Sequence, residues 1–159
     1  MKIADVLTPA LTVNQLPGNS KKRVLENISQ LLARELVTDQ EQSEVLFNNF
    51  LVRERLGSTG LGNGVAIPHC RSAAVKKIHG CLTKLASPVD FDAVDDQPVD
   101  MVFALVVPEE QNDEHLTTLA GIAQVMQSAS SRQILRECNT NQELFERIVS
   151  LEQREKLCG

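Results

Sequence analysis

The chain has 159 residues, enough for one domain of ordinary size, and its 42% hydrophobic and 23% charged residues exclude a disordered chain. With five Phe, no Tyr and no Trp, it lacks the aromatic surface on which single-stranded nucleic acid stacks. Its net charge of −5 also argues against nucleic acid as the main partner.

The first third of the chain predicts a short strand followed by two helices. Leu11–Leu16 reads as the strand, and Ser20 can cap the first helix. The second helix is predicted from near Asp39 to just before Gly57, a suitable residue to follow a helix end. Apolar residues at helical spacing predict the buried faces: Val24, Ile28, Leu31, Leu32 and Leu36 in the first helix, and Val45, Leu46, Phe50 and Leu51 in the second.

The middle of the chain predicts a sheet that is entered through a glycine-rich loop. This loop, Gly57–Gly64 (GSTGLGNG), leads into the short apolar run Val65–Ile67 and then a Pro-His pair. Ile78–Leu85 and Val99–Val107 are predicted strands, and the second has the nearly continuous apolar run of a central strand buried on both faces. The acidic segment between these two strands is predicted to be rich in turns.

The last third predicts helices, so that one sheet is expected to be covered by helices on both faces. A helix begins near Asp113, and the spacings Ser130 to Gln133 and Thr140 to Glu143 fit the capping boxes of two more. The residues predicted to be buried are Leu116, Leu119, Ile122, Ala123 and Met126 in the first of these helices, Ile134 and Leu135 in the second, and Leu144, Ile148 and Leu151 in the last.

Charge and cysteine patterns give a cellular context. Residues 81–120 carry one lysine against nine acidic residues, which indicates either solvated loops or a surface that attracts a basic protein partner. The N-terminus has no apolar signal segment, no stretch reaches the roughly 18 apolar residues of a membrane span, and the four cysteines form no C-x-x-C pair. We therefore expect a cytoplasmic protein with reduced thiols and no membrane insertion.

The glycine loop and the histidines are the candidate functional residues. The glycines allow main-chain N–H groups to approach an anion. A nucleotide-binding P-loop is not indicated, because no Lys follows these glycines. A Rossmann fingerprint is not indicated either, because that loop follows a strand and opens a helix, whereas this loop follows a helix and leads into a strand. A plain flexible connection stays open. His69 follows a rigid proline, which stiffens the chain around the imidazole. Together with Arg53 upstream, this position favours a functional imidazole that faces solvent over a loop histidine without a role. His115, in the first turn of a predicted helix, could donate to a phosphoryl oxygen or simply cover the helix start, whereas His79 reads as structural.

Other chemistries have weaker support in the sequence. His69, Cys70, His79 and Cys81 carry metal-ligating atoms, but their spacing matches no standard zinc site. Cys70 beside His69 suggests a thiol nucleophile, yet adjacent side chains usually point apart, and the G-x-S-x-G motif of a serine hydrolase is absent.

The run RERLGSTGLGNGVAIPHC (Arg53–Cys70), followed by QPVDMVFALVVPEE and EHLTTLAGIA, resembles the type-2 enzyme IIA domains of the bacterial phosphotransferase system, most closely the nitrogen-regulatory branch, IIA-Ntr. The resemblance covers residues 1–150 and leaves 151–159 as a C-terminal tail. It implies a single α/β domain, a three-layer α/β/α sandwich around a mixed β-sheet. It also implies a phosphotransferase-system component that works through a phosphohistidine, without cofactor or metal, and not a stand-alone small-molecule enzyme.

The resemblance also implies roles for individual residues. His69 corresponds to the phosphorylated nucleophile, with Arg53 and His115 as its electrostatic support, and the loop residues Ser58, Thr59, Gly60 and Asn63 are expected to support the phosphate. The implied donor is a phosphocarrier protein of the HPr or NPr type, and the implied targets are regulated proteins such as potassium transport or sensor components. Two positions depart from the family pattern: Cys70 stands where many members have Gly, and Asn63 stands where sugar-transport members often have an acidic residue. The second departure favours the regulatory branch.

Three alternatives remain open at this point. The first is a fructose- or mannitol-type IIA component that passes phosphate to a IIB domain. The second is a binding module that has lost phosphotransfer, against which the intact set of His69, Arg53 and His115 argues weakly. The third is a metal hydrolase. Because no permease or DNA-binding domain follows in the sequence, a free-standing phosphoprotein is expected.

Overall fold

A mixed β-sheet forms the centre of the molecule in the computed structural model, which describes residues 2–36, 41–110 and 114–158. Its neighbouring strands run in the order β1, β5, β6, β3, β2, and β4 pairs separately with β6. The strands are β1 (Thr12–Leu16), β2 (Gly60–Gly62), β3 (Val65–Ala66), β4 (His69–Ser72), β5 (His79–Val89) and β6 (Val99–Pro108).

Strand β6 organises the functional edge of the sheet. On one side it pairs with β5 in antiparallel orientation. On the other side β3 and β4 follow each other along it, both parallel to it, with Ala66 opposite Val102 and His69 opposite Leu105. Nearly every β6 side chain is buried, so the prediction of a central strand is confirmed.

Helices pack around this sheet in two groups. They are α1 (Ile3–Val6), α2 (Lys21–Leu36), α3 (Glu41–Leu56), α4 (Glu114–Gln127), α5 (Ala129–Arg136) and α6 (Asn141–Cys158), with a 3-10 turn at Pro9–Leu11. Helices α2 and α3 pack on each other, and α6 packs against α1, α4, α5 and β1. The predicted single α/β domain with a mixed sheet is confirmed.

The predicted helix faces are mostly confirmed, with two errors. The core includes Leu46, Phe50, Ile122 and the other apolar residues expected to be buried in α2, α5 and α6, some of them partly covered. Val45 and Leu116, however, are exposed on α3 and α4 although the periodicity places them on the buried faces. The predicted starts near Asp39 and Asp113 lie outside the described residues.

Several element boundaries also differ from the expectations. The cap of α5 is Ser128, which accepts the N–H of Ser131 over 3.3 Å, so the capping box predicted at Ser130 is wrong. Thr140 does accept the N–H of Glu143 over 3.0 Å at the start of α6. That helix continues past residue 150 and buries Leu151, so the predicted boundary before the tail falls within a regular helix.

Candidate functional site

His69 is the first residue of β4 and lies where the chain crosses from β3 to β4 along β6. The sequence placed it after the end of a strand, but Pro68 separates two short strands and His69 opens the second. The carbonyl of Pro68 accepts the N–H of Leu105 over 2.9 Å, which anchors this crossing to the central strand. The backbone that carries the imidazole is therefore held on one side by its hydrogen bond to β6. The pyrrolidine ring of Pro68 restricts it further.

Two hydrogen bonds define the tautomer of the His69 ring. Its Nδ1 lies 3.0 Å from the carbonyl oxygen of Ile67, and Arg53 donates its Nε–H to Nε2 over 3.3 Å. A carbonyl can only accept and a guanidinium can only donate, so Nδ1 carries the proton and Nε2 keeps its lone pair. The neutral ring therefore presents an unprotonated Nε2 towards Arg53.

The surroundings of His69 favour this neutral form. Partial burial is the largest cause that lowers the pKa of His69 below its usual value, and the charges of Arg53 and His115 lower it further. The bond to the Ile67 carbonyl and the charge of Glu54 act in the opposite direction. Since the net shift is downward, the unprotonated ring persists to lower pH than in a free histidine.

Arg53 and His115 meet His69 at an open cleft of about 390 Å³. Arg53 lies in the last turn of α3 and is held by a second bond, from Nη1 to the carbonyl of Gly57 over 2.8 Å. His115 lies in the first turn of α4 and is largely buried. Arg71, which the sequence analysis did not single out, also lines this cleft, and no acidic side chain is among its described lining residues.

The first half of the glycine loop lines a second cleft, of about 320 Å³, on the other side of His69 and Arg53. Ser58 and Thr59 belong to its lining. Ser58 donates to the carbonyl of Phe91 and accepts the N–H of Gly60 over 3.0 Å. An added Cβ at Gly60 would lie 2.8 Å from the Cβ of Ala93, so this glycine permits a close approach between two chain segments.

The second half of the loop is a tight hairpin between β2 and β3. Asn63 and Gly64 both have positive φ, 58° and 81°, as a two-residue type I′ turn requires. The N–H of Asn63 donates to Asp95 over 2.9 Å, and its carbonyl accepts from Arg136 over 2.6 Å. Asn63 thus lies outside the lining of both clefts, with its backbone groups engaged elsewhere. Ser58 and Thr59 line the second cleft together with His69, and Gly60 lines neither cleft.

The neighbour of Arg53 in sequence was missed by the sequence analysis. Glu54 is buried beneath the loop, where its carboxylate accepts hydrogen bonds from the N–H and the hydroxyl of Thr59 and pairs with Lys21. A carboxylate at the C-terminal end of a helix opposes the helix dipole, and this unfavourable placement was the available signal.

Of the remaining cysteine and histidine candidates, Cys70 lines the first cleft beside His69, whereas Cys81 and His79 line neither cleft. Burial raises the pKa of the Cys70 and Cys81 thiols to about 12, which leaves both without nucleophilic thiolate at neutral pH. His79 opens β5, and burial together with Lys77 lowers its pKa. Across 2–36, 41–110 and 114–158, no three His, Cys, Asp or Glu side chains are grouped so that they could hold a metal ion. In the same part of the chain, no helix is both long enough and apolar enough to traverse a bilayer.

Comparison with known proteins assigns the family. Residues 5–150 match the family described as the phosphoenolpyruvate-dependent sugar phosphotransferase system, EIIA 2. The chain is 43% identical over 152 residues to a nitrogen regulatory protein of Pseudomonas aeruginosa, covering 96% of this chain and 97% of that protein. It is 38% identical over 153 residues to a nitrogen regulatory protein of Escherichia coli K12, covering 96% and 92%.

A solved structure supports the same assignment. The crystal structure of nitrogen regulatory protein IIA-Ntr from Neisseria meningitidis matches with a TM-score of 0.84 at 38% identity, covering 92% of this chain and 98% of that one. The chain therefore belongs to the EIIA type-2 family of the phosphotransferase system.

Proposed function

We propose that this protein is a phosphohistidine carrier and regulatory component of the nitrogen-related phosphotransferase system. It accepts a phosphoryl group on Nε2 of His69 from a phosphocarrier protein of the HPr or NPr type. The observation that carries this proposal is the neutral His69 ring, with its Nδ1 proton bound to Ile67 and its Nε2 lone pair beside Arg53 in an open cleft.

The transfer exchanges one nitrogen–phosphorus bond for another. The lone pair of Nε2 forms a bond to phosphorus while the bond to the imidazole of the donor breaks, and that electron pair returns to the donor nitrogen. His69 keeps its proton on Nδ1 throughout, where the Ile67 carbonyl stabilises the positive character that the ring gains. No proton has to leave the acceptor before attack.

The rest of the site contributes positioning and charge. Phosphoryl transfer needs in-line geometry and stabilisation of charge on the three equatorial oxygens, with little further chemistry. Arg53 supplies fixed positive charge and His115 a further polar group at the same cleft, and we propose that Ser58, Thr59 and Gly60 support the phosphate from the loop side. For Asn63 the support is indirect, through the hairpin that it closes.

The rim of the site supports a whole protein as phosphoryl donor. Leu56 is 82% exposed and Val52 is 54% exposed, and both line the same cleft as His69. Leu116, next to His115 on α4, is 57% exposed. Exposed apolar side chains grouped around one site mark a surface that another protein covers.

The regulatory reading is preferred to sugar transport because the relatives that share 38–43% identity over most of this chain are named nitrogen regulatory proteins. We propose that the phosphorylation state is read by regulated proteins such as potassium transport or sensor components, in the cytoplasm. In the sugar-transport alternative the phosphoryl group passes instead to a IIB domain. Mixing the phosphorylated protein with candidate IIB domains separates the two, because rapid loss of phosphate coupled to sugar phosphorylation would exclude the regulatory role.

The decisive test is phosphorylation of the purified chain by a phosphocarrier that is charged from phosphoenolpyruvate. The wild-type protein should acquire acid-labile phosphate, and His69→Ala should acquire none because the nucleophile is gone. His79→Ala is the matched control, since His79 lies outside the lining of both clefts, and it should be labelled like wild type. Labelling of His69→Ala would refute the assignment.

A further inference from the structure

A largely buried ion pair lies beneath the glycine loop, and neither of its residues is among the lining of the two clefts. Lys21 Nζ is 2.7 Å from Glu54 Oε2, and Glu54 is only 8% exposed. Lys21 also approaches the carbonyl of Phe91 at 3.4 Å and lies 5.3 Å from the centroid of its ring. The pair therefore joins the start of α2, the end of α3 and the acidic segment before β6.

Helix electrostatics do not account for either residue. Lys21 is the first residue of α2, where the dipole disfavours a cation, and Glu54 is in the last turn of α3, where it disfavours an anion. Burying such a pair contributes little or nothing to stability compared with apolar residues of similar volume. The arrangement is better explained by what the carboxylate holds in place.

The carboxylate of Glu54 begins a series of hydrogen bonds that ends on the catalytic ring. It accepts the N–H of Thr59 over 3.3 Å and also its hydroxyl. The carbonyl of Thr59 accepts the N–H of Ile67 over 3.0 Å. The carbonyl of that same Ile67 accepts the Nδ1–H of His69 over 3.0 Å.

We propose that Glu54, neutralised by Lys21, is a positioning residue that holds the Ile67 carbonyl under His69 and thereby keeps the ring in the Nδ1–H tautomer with Nε2 unprotonated. This inference rests on the proposed function for its consequence in phosphotransfer, but the tautomer itself is a property of the unphosphorylated protein. Lys21 has a second effect, because it cancels the carboxylate charge that would otherwise repel an incoming phosphoryl group.

Removal of the Glu54 charge should loosen this series without removing any group from the cleft. In Glu54→Gln the amide can replace only part of the bonding to Thr59, and Lys21 keeps only the exposed carboxylate of Asp92, 3.8 Å away, as a counter-ion. The Ile67 carbonyl then fixes Nδ1–H less strictly, and a fraction of the rings gives up the Arg53 bond and carries the proton on Nε2, where it blocks attack. We expect the phosphorylation rate to fall roughly tenfold, by analogy with the loss of hydrogen-bond partners that orient metal-ligating histidines.

The test measures the ring nitrogen-15 shifts of His69 in the unphosphorylated full chain, together with the phosphorylation rate. Glu152→Gln is the matched control, because Glu152 is also 8% exposed and accepts a backbone N–H, that of Ile3, far from His69 in sequence and outside both clefts. Glu54→Gln should move the Nε2 shift from the unprotonated towards the protonated type, and Glu152→Gln should not. An unchanged Nε2 shift in folded Glu54→Gln, or an equal change in both variants, would overturn the proposal.

A second pair of variants tests the same proposal if Glu54→Gln does not fold. Thr59→Val removes the hydroxyl bond to Glu54 at nearly constant shape, and Thr59→Ser restores it. Thr59→Val should show the altered Nε2 shift and Thr59→Ser the wild-type shift, whereas a wild-type shift in Thr59→Val contradicts the proposal. If the wild-type chain takes no phosphate from the carrier, the proposed function fails, while the ring shifts still decide the role of Glu54.

Discussion

Arg53→Met tests how much of the transfer depends on the guanidinium beside His69. Arg53 donates from Nε to His69 Nε2 over 3.3 Å and from Nη1 to the carbonyl of Gly57 over 2.8 Å. Methionine preserves much of the length and apolar stem of the side chain, but it removes the charge and both donors. The variant therefore separates electrostatic support from simple packing at the end of α3.

The size of the effect follows from the distance and the exposure. A guanidinium and a phosphoryl oxygen charge about 4 Å apart interact by about 1 kcal/mol in bulk water and about 4 kcal/mol at an effective dielectric constant near 20. Arg53 is partly exposed in an open cleft, so the true value lies between these limits. Loss of one preorganised donor to developing charge costs roughly 100- to 1,000-fold in rate, and we expect a fall of about 100-fold for Arg53→Met.

The same substitution should change the pH dependence in a defined direction. The charge of Arg53 is one of the causes that lower the pKa of His69, so its removal raises that pKa. The neutral ring is the reactive form, and activity is lost as pH falls through the pKa of His69. The acidic limb of the rate profile should therefore move to higher pH in Arg53→Met. Arg53→Lys keeps the charge but not the paired donors, and should give an intermediate rate with a smaller change in pKa.

The assay is the initial rate of phosphorylation by a charged phosphocarrier as a function of pH, with an NMR titration of the His69 ring. Arg55→Met is the control, since Arg55 lies in the same last turn of α3 but is exposed and lines neither cleft. A rate for Arg53→Met within threefold of wild type, an unchanged or lowered pKa of His69, or an equal loss in Arg55→Met would refute this reasoning.

Two further predictions concern the cleft and the hairpin. His115→Gln should lower the phosphorylation rate roughly tenfold, which is the effect of losing one hydrogen bond worth about 1.4 kcal/mol. It should also raise the pKa of His69, whereas a wild-type rate would remove His115 from the site. Gly64→Ala should destabilise the fold by roughly 1–2 kcal/mol in denaturant unfolding, because φ is +81°, a conformation unfavourable for Ala. The new Cβ would also lie 2.5 Å from Nη2 of Arg136 and 2.7 Å from Oδ1 of Asp100, so these two side-chain ends must shift. The rate per folded molecule should stay within about twofold of wild type, and an unchanged unfolding midpoint would contradict the assigned strain.

Regular hydrophobic patterns predicted the main elements of the fold. The apolar run of β6 and the helical spacing in α2 and α6 are long enough to average over exceptions, and these elements lie where they were expected. Strand β4 has four residues, HCRS, which is too short for any periodicity to be read. The β2–β3 hairpin was missed for another reason: the glycines were interpreted as an anion loop, although an Asn-Gly pair is itself a strong hairpin signal.

In the candidate site, the sequence likewise indicates individual residues but not the contacts between residues that are distant in the chain. The proximity of Arg53 and His69 depends on how β4 pairs with β6 beside the end of α3, and the sequence contains each residue but not this pairing. Glu54 and Lys21 are 33 positions apart, and nothing in either segment indicates the other as its partner. Both relations are tertiary, and they become visible only when the strand order is known.

The two errors in helix burial point to the surface that a donor protein would cover. Periodicity detects which face of a helix is apolar, but it does not say whether that face is covered by the protein itself or by a partner. On α4, Leu116 is exposed directly beside His115, and on α3 the exposed apolar series from Val45 reaches Val52 and Leu56 at the cleft. A permanent contact would block the histidine, so transient cover by a phosphocarrier during transfer accounts for apolar side chains that the fold leaves open around a charged centre.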